Sequence, residues 1–170
     1  MGFTLVLGGA RSGKSDLALR LARESGSPVT FIATATAEDT EMAERIARHR
    51  AARPSDWTTV EEPVDLMRAV LDADGGSFLV VDCLTLWVSN LLGEGRGGNQ
   101  VVALAAEVAG LLAERRAVVV SNEVGLGIVP VNDLAREFRD VLGRVNVAFA
   151  GRAARSTFMV AGRALELGAP

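Results

Sequence analysis

The sequence of 170 residues is poor in three chemically important residue types: it has one cysteine, Cys83, one histidine, His49, and one lysine, Lys14. A lone cysteine excludes an internal disulfide bond and favours the reducing cytoplasm. No apolar run reaches the roughly 18 residues of a membrane-spanning helix. Residues 1–7 also lack the basic start of a secretion signal. We therefore expect a soluble cytoplasmic protein with no membrane span.

An excess of positive charge is also missing, since 18 basic residues stand against 21 acidic ones and the formal net charge is −3. This balance excludes a general attraction to nucleic acid or to an anionic membrane surface. Any bound anion must be held by a local site. With 49% apolar residues, the chain is expected to form one domain over residues 1–170.

Short apolar runs alternate with helical patterns along the chain. Strands are predicted at 3–7, 29–33, 57–60, 78–81, 117–120 and 157–161, with a frayed tail after the last. Helices are predicted up to residue 24, from a capping box at Thr36 and Asp39 to a point before Pro54, at 64–71, 84–92 and 101–115, and from a cap at Asp133 to about residue 144 or beyond. Residues 93–98 hold four glycines and read as a flap or a linker. The alternation predicts an α/β fold with a mostly parallel sheet and helices on both faces.

The first strand leads into a phosphate-binding motif, G-x-x-x-x-G-K-[ST], which is matched at every fixed position. Its residues are Gly8, Gly9, Ala10, Arg11, Ser12, Gly13, Lys14 and Ser15. Backbone N–H groups of such a loop surround phosphate oxygens, and the helix that follows directs its positive end at them. Lys14 is the candidate for the outer phosphates and Ser15 for a Mg²⁺ ion. The alternative is a glycine-rich turn that binds nothing.

Two carboxylates, Asp82 and Glu123, each follow a short apolar strand. In a parallel sheet both would emerge at the same edge as the phosphate loop. Asp82 is predicted to be the carboxylate on the metal side, and capping of the next helix is the alternative. For Glu123, structural hydrogen bonding and catalysis are both open.

A GTPase switch reads guanine with an Asn-Lys-x-Asp element, which cannot exist when Lys14 is the only lysine. A small-molecule kinase remains possible, but it leaves the second helix unexplained. On that helix Met42, Ile46, His49 and Arg53 share one stripe, so His49 is expected to point inward or along a cleft edge. Neighbouring arginines disfavour protonation of the imidazole, and a neutral imidazole can attack phosphorus. A packed structural histidine is the alternative.

Several segments resemble one family in order and over nearly the whole chain. They are the phosphate loop, residues 32–35, residues 41–46 with His49, Arg50, Arg53 and Pro54, and residues 122–130. The family is the bifunctional adenosylcobinamide kinase / adenosylcobinamide-phosphate guanylyltransferase of cobalamin biosynthesis. The resemblance implies a RecA-like phosphate-loop domain.

The resemblance also implies two reactions. Adenosylcobinamide is phosphorylated by ATP or GTP, and GMP is then transferred from GTP to the new phosphate through a guanylylated histidine, with release of pyrophosphate. It implies catalytic roles for His49 and Lys14, Mg²⁺ at Ser15 and Asp82, a corrinoid substrate and a homo-oligomer, with a trimer expected. Besides the phosphate loop, it implies nucleotide contacts at Ala33, Thr34, Ala35, Arg50, Ala51, Ala52, Arg53, Glu61 and Asp82.

Two other classes of function stay open at this stage. One is a phosphate-loop kinase in which His49 is structural, and the other is a nucleotide-binding regulatory module without group transfer. Trp57 and Trp87 could offer stacking surfaces, although core packing is the simpler interpretation.

Overall fold

The structure is a computed structural model that describes residues 1–37, 40–51 and 53–168. It describes the side chains of all of these except Glu41, Met42, Arg45 and His49. Of the predicted capping box, Thr36 lies in a described irregular segment, whereas Asp39 lies outside the described residues.

Within these residues the chain forms seven strands and six helices. The strands are β1 (Gly2–Gly8), β2 (Val29–Ala33), β3 (Thr58–Glu61), β4 (Phe78–Asp82), β5 (Arg116–Val120), β6 (Arg155–Val160) and β7 (Arg163–Leu167). The helices are α1 (Lys14–Glu24), α2 (Thr40–Ala51), α3 (Leu66–Asp72), α4 (Leu84–Gly93), α5 (Gly98–Ala113) and α6 (Asp133–Ala150).

All of these strands belong to one sheet with the order β3-β2-β4-β5-β1-β6-β7. Every pairing is parallel except the last, in which β7 runs antiparallel to β6. The phosphate-loop strand β1 is therefore central, and β5 separates it from β4, which ends in Asp82. In a parallel sheet this arrangement brings the ends of β1 and β4 to the same edge.

Alternate strand residues face two separate cores, as the period-2 geometry of a strand requires. Leu5 and Val81 belong to the larger core, which also contains residues of α3, α4, α5 and α6. Val6 and Val80 belong to the smaller core, which is covered by α1. Helices thus lie on both faces of a mostly parallel sheet, and the predicted α/β architecture is confirmed.

The predicted helices and strands are present, and hydrogen bonds explain two of the differences at helix starts. Helix α6 is capped by Asn132, whose side chain accepts a hydrogen bond from the Ala135 N–H, so Asp133 is its first residue rather than its cap. Helix α5 begins at Gly98 because the Gln100 side chain accepts a hydrogen bond from the Gly97 N–H and stabilises the first turn. The glycine-rich connection is consequently only residues 94–97.

The expectation of a frayed tail is wrong, because residues 163–167 form β7. Val160 pairs with Arg163, so a two-residue turn joins β6 to β7, and both of its residues, Ala161 and Gly162, have positive φ. This is the mirror-image turn that matches strand twist in hairpins. Every residue of β7 is exposed, which explains why hydrophobic periodicity did not reveal the strand.

None of the helices in the described residues combines the length and the apolar character that crossing a bilayer requires.

Candidate functional site

The loop between β1 and α1 has a conformation that depends on glycine at two positions. Gly8 has φ +153°, and a Cβ there would lie 2.5 Å from the Met159 carbonyl oxygen and 2.8 Å from Ser12 Oγ. Gly13 caps α1 in the left-handed region with φ 93°. The top of the loop, residues 9–11, is half-buried or exposed. The N-terminal end of α1 is therefore presented next to an accessible loop, as anion binding requires.

Lys14 folds back across this loop. Its side chain is buried, with 7% of the residue exposed, and its Nζ donates hydrogen bonds to the Gly9 carbonyl oxygen at 2.6 Å and to Ser12 Oγ at 3.5 Å. The ammonium group thus lies within the loop that would surround a phosphate. Its charge is available to phosphate oxygens by exchange of these contacts.

Ser15 and Asp82 are brought together although 67 positions separate them, and Ser15 Oγ donates to Asp82 Oδ2 at 3.5 Å. Asp82 ends β4 and Ser15 lies in the first turn of α1, so the sheet order creates this contact. Helix α4 has Cys83 as its N-cap, which is not consistent with Asp82 as the cap. A serine hydroxyl and a carboxylate are oxygen donors of the kind that Mg²⁺ prefers.

The backbone of Glu123 lies beside the phosphate loop, because the Glu123 N–H donates to the Gly8 carbonyl oxygen at 3.1 Å. Its carboxylate accepts a hydrogen bond from the Gly125 N–H. Of the two roles left open for Glu123, the observed contacts are those of structural hydrogen bonding.

Residues 33–35 lie at the same edge of the sheet as Asp82. Ala33 is the β2 partner of Asp82. Thr34 is fully buried, and its hydroxyl accepts from the Cys83 N–H at 2.8 Å and donates to the Cys83 carbonyl oxygen at 2.7 Å. Ala35 is half-buried.

Two arginines contact the sheet, one in the last turn of α2 and one just beyond the end of that helix. The Arg53 guanidinium lies 3.6 Å from the centre of the Phe31 ring on β2, a cation–π geometry. Burial lowers the Arg53 pKa, and the charge of Asp82 opposes that shift. Arg53 Nε is buried without a hydrogen-bond partner in the described structure. Arg50 pairs with Glu61 at 3.3 Å. Four residues predicted to contact nucleotide therefore lie along the ends of β2, β3 and β4.

The sequence also predicts where α2 ends and which of its side chains share one stripe. Helix α2 ends at Ala51, so Arg53 lies beyond the helix and does not continue its stripe. Ile46 is half-buried and Ala51 is exposed. The side chains of Met42 and His49 lie outside the description, as does Ala52, so the inward orientation of His49 stays a prediction.

The two tryptophans differ in burial. Trp87 is fully buried and its indole N–H donates to the Val64 carbonyl oxygen at 2.8 Å, so its core role is confirmed. Trp57 is partly buried and packs against the smaller core.

The sequence interpretation missed the turn between β6 and β7, which contacts the phosphate loop. The Gly162 N–H donates to the Ser12 carbonyl oxygen at 3.1 Å, and a Cβ on Gly13 would lie 3.4 Å from Gly162 Cα. The available signal was Gly162, a residue that favours turns, two positions after an apolar strand.

Among the described residues, no group of three or more His, Cys, Asp or Glu side chains could hold a metal ion. Mg²⁺ usually takes one or two protein carboxylates and keeps waters or substrate phosphates as its other ligands. Ser15 and Asp82 fit that pattern.

A family model and the curated relatives of this chain agree on one family. The family model for cobinamide kinase / cobinamide phosphate guanyltransferase matches residues 4–167. The bifunctional adenosylcobalamin biosynthesis protein CobP of Pseudomonas aeruginosa is 49% identical over 168 residues, covering 96% of this chain and 95% of that protein. CobU of Escherichia coli, which carries the same description, is 39% identical and covers 96% of this chain and 98% of that protein.

Among solved structures, the RadB recombinase is similar with a TM-score of 0.52 and 20% identity, covering 92% of this chain and 73% of that one. At this identity the likeness concerns the fold alone, which is that of RecA-like phosphate-loop proteins.

Proposed function

Because this chain belongs to the cobinamide kinase / cobinamide phosphate guanyltransferase family, we propose that His49 carries GMP covalently between the two substrates of its transferase reaction. The enzyme is bifunctional: it phosphorylates cobinamide and transfers a guanylyl group to cobinamide phosphate. Adenosylcobinamide is the proposed form of the corrinoid, and the cytoplasm is the proposed compartment. GTP and ATP are the expected nucleotide substrates.

The observation that carries the proposal is the arrangement of the phosphate loop opposite Asp82. Lys14 lies within the loop, and Ser15 Oγ reaches Asp82 Oδ2 at 3.5 Å. A triphosphate held here would be surrounded by the backbone N–H groups of the loop and by the ammonium group of Lys14. Two oxygen ligands for a metal ion would lie beside it. Ser15 and Asp82 would hold Mg²⁺, which when bound supplies positive charge to the phosphate oxygens.

The transfer steps balance with the groups of this chain. An imidazole nitrogen of His49 attacks the α-phosphorus of GTP, an N–P bond forms, the bond to the bridging oxygen breaks, and pyrophosphate leaves. The imidazole gives up its N–H proton to solvent as this adduct forms, and it takes up a proton again when the N–P bond breaks. An oxygen of cobinamide phosphate then attacks the same phosphorus, the N–P bond breaks, and cobinamide-GDP forms. Lys14, Arg50 and Arg53 stabilise negative charge on the reacting phosphates.

The attachment of α2 to the sheet supports this role for His49. Arg53 lies over Phe31, and Arg50 pairs with Glu61 at the end of β3. The Arg50 contact places the last turn of α2, the helix that carries His49, beside the end of β3, and the Arg53 contact lies just beyond that helix. A half-buried guanidinium near Asp82 is also suited to binding a phosphate.

The proposed intermediate can be detected directly. Incubation with GTP labelled at the α-phosphorus should leave acid-labile label on the denatured protein, and His49→Ala should abolish it. Lys14→Ala should reduce labelling by about tenfold or more, because a charged hydrogen bond to phosphate is lost. Ala47→Gln is the matched control, because Ala47 is an exposed residue on the same helix, and its labelling should equal that of wild type.

A second measurement separates this proposal from a kinase without nucleotidyl transfer. Transfer of label from the γ-phosphate to adenosylcobinamide should persist in His49→Ala. Label that remains on the protein in His49→Ala would contradict the proposal. An unlabelled wild-type protein with normal γ-phosphate transfer would favour the kinase alone.

The proposed assembly is a homo-oligomer, with a trimer expected. Support comes from an apolar surface segment, residues 124–134, in which Leu126, Ile128 and Val131 are 82%, 98% and 97% exposed. Apolar clusters of this kind on a protein surface mark interaction sites.

A further inference from the structure

We propose that Thr34, held by Asn90, is a positioning residue that orients Asp82 toward Ser15. The inference rests on the proposed function, in which Asp82 is the carboxylate on the metal side. Thr34 directly follows β2, whose last residue, Ala33, is the ladder partner of Asp82. Thr34 is therefore adjacent to the point where β4 leaves the sheet.

Thr34 bonds both polar groups of the peptide unit that joins Asp82 to Cys83. The Thr34 N–H donates to the Asp82 carbonyl oxygen at 3.1 Å, and the Cys83 N–H donates to Thr34 Oγ1 at 2.8 Å. The Thr34 hydroxyl proton is used as well, in a bond to the Cys83 carbonyl oxygen at 2.7 Å. A hydroxyl has one proton to donate, and this one is committed to Cys83.

Complete burial separates this hydroxyl from bound ligands. Thr34 is 0% exposed, so its side chain meets no solvent. Its contribution to a nucleotide or metal site must pass through the groups that it contacts. Those groups are the backbone of Asp82 and Cys83, and Asp82 Oδ2 lies 3.5 Å from Ser15 Oγ.

Asn90 on α4 holds Thr34 in turn. Its Nδ2 donates to the Thr34 carbonyl oxygen and to the Pro63 carbonyl oxygen, both at 2.9 Å. An amide nitrogen has two protons, so both donors have a partner. Because α4 starts at Leu84, immediately after Cys83, the contacts form a closed ring through Thr34, Cys83, α4 and Asn90.

A closed ring of short bonds restricts the backbone from which the Asp82 carboxylate projects. Partners that orient the ligands of a metal contribute to its affinity, and their loss costs about 10–100-fold in metal affinity. A side chain that touched nucleotide directly would behave differently, because its loss would weaken binding whether or not metal was present.

The pair Thr34→Val and Thr34→Ser tests the hydroxyl at nearly constant shape. The full-length protein is titrated with Mn²⁺ in the presence of α,β-methylene-GTP, which cannot be cleaved at the α-phosphorus, and free Mn²⁺ is measured by electron paramagnetic resonance. Thr34→Val should weaken Mn²⁺ binding by about tenfold or more, and Thr34→Ser by less than about threefold. The affinity for the same nucleotide in EDTA should be unchanged in both variants.

Three results would overturn the proposal: wild-type Mn²⁺ affinity in Thr34→Val, an equal loss in Thr34→Ser, or an equal loss of nucleotide affinity in EDTA. Thermal unfolding shows whether each variant is folded. If Thr34→Val does not fold, Asn90→Ala decides, and a folded Asn90→Ala protein with wild-type Mn²⁺ affinity overturns the proposal.

The variant Asp82→Asn distinguishes the metal role of Asp82 from the positioning role of Thr34. If Asp82→Asn weakens Mn²⁺ binding and Thr34→Val does not, the positioning role alone is wrong. Wild-type Mn²⁺ affinity in Asp82→Asn would remove the proposed metal role of Asp82, and the positioning role would fall with it.

Discussion

The single thiol of the chain is placed where its ionisation is unfavourable. Cys83 is buried, with 8% of the residue exposed, and follows Asp82. Burial and the neighbouring negative charge raise its pKa to about 11. A thiol in this state is a poor nucleophile near neutral pH, which fits a structural role.

This raised pKa predicts a loss of stability at alkaline pH. The unfolded chain ionises Cys83 near its ordinary pKa of 9.0 and the folded chain near 11, so the stabilisation is complete below about pH 9 and is lost as pH rises toward 11. A difference of two pKa units corresponds to about 3 kcal/mol in the free energy of unfolding.

Urea unfolding of wild type and Cys83→Ala between pH 8 and pH 10.5 measures this effect. The range is favourable because the chain has no tyrosine and a single lysine. Stability should fall with pH more steeply in wild type than in Cys83→Ala, and parallel pH profiles would contradict the prediction.

At the scale of elements, the phosphate loop is held by two contacts from the hairpin of β6 and β7. Its first glycine closely approaches β6, and the turn from β6 to β7 donates a hydrogen bond from Gly162 to Ser12. The hairpin at the end of the chain thus supports the loop at its start. The loop conformation therefore depends on tertiary contacts as well as on its own glycines.

This support predicts opposite outcomes for two neighbouring glycines. A Cβ at Gly8 would lie 2.5 Å from the Met159 carbonyl oxygen, whereas a Cβ at Gly9 would meet nothing within 4 Å. Gly8→Ala should lower the free energy of unfolding by about 1–3 kcal/mol, as overpacking does. Gly9→Ala should change it by no more than about 0.5 kcal/mol.

Chemical unfolding of both variants without nucleotide provides the measurement. Equal stability of the two variants would show that the close approach of β1 to β6 does not constrain Gly8. Gly9→Ala serves as the control for adding a methyl group to the same loop.

At the scale of the whole molecule, the surface carries an apolar segment that the fold does not cover. Ile128 and Val131 are 98% and 97% exposed, and Leu134 at the start of α6 is 66% exposed. Leaving such groups in water is unfavourable, and association between copies would remove them from it.

Sedimentation equilibrium tests the proposed assembly. Wild type should have three times the mass of one chain, and Ile128→Asp should shift the population toward monomer, because a carboxylate cannot be buried unpaired without a large cost. Leu71→Asp on α3 is the control, because Leu71 is also exposed but is not part of the segment. A monomeric wild type, or equal effects of the two substitutions, would contradict the prediction.

The sequence by itself determined the local chemistry of this protein. The loop of residues 8–15, the strands that end in Asp82 and Val120, and the alternation of strands with helices all follow from short-range patterns of glycine and apolar residues. The RecA-like fold and the family membership could also be predicted, because the motifs of Gly8–Ser15 and residues 122–130 occur in order along the chain.

Only the tertiary structure decided which distant residues meet. The order β4-β5-β1 brings Asp82 to Ser15, and the ends of β2 and β4 bring Thr34 to the Asp82–Cys83 peptide. Gly162 reaches Ser12 across a sequence separation that no local pattern encodes. The physical reason is that strand pairing and burial depend on the whole sheet, whereas periodicity reports only the preference of each segment.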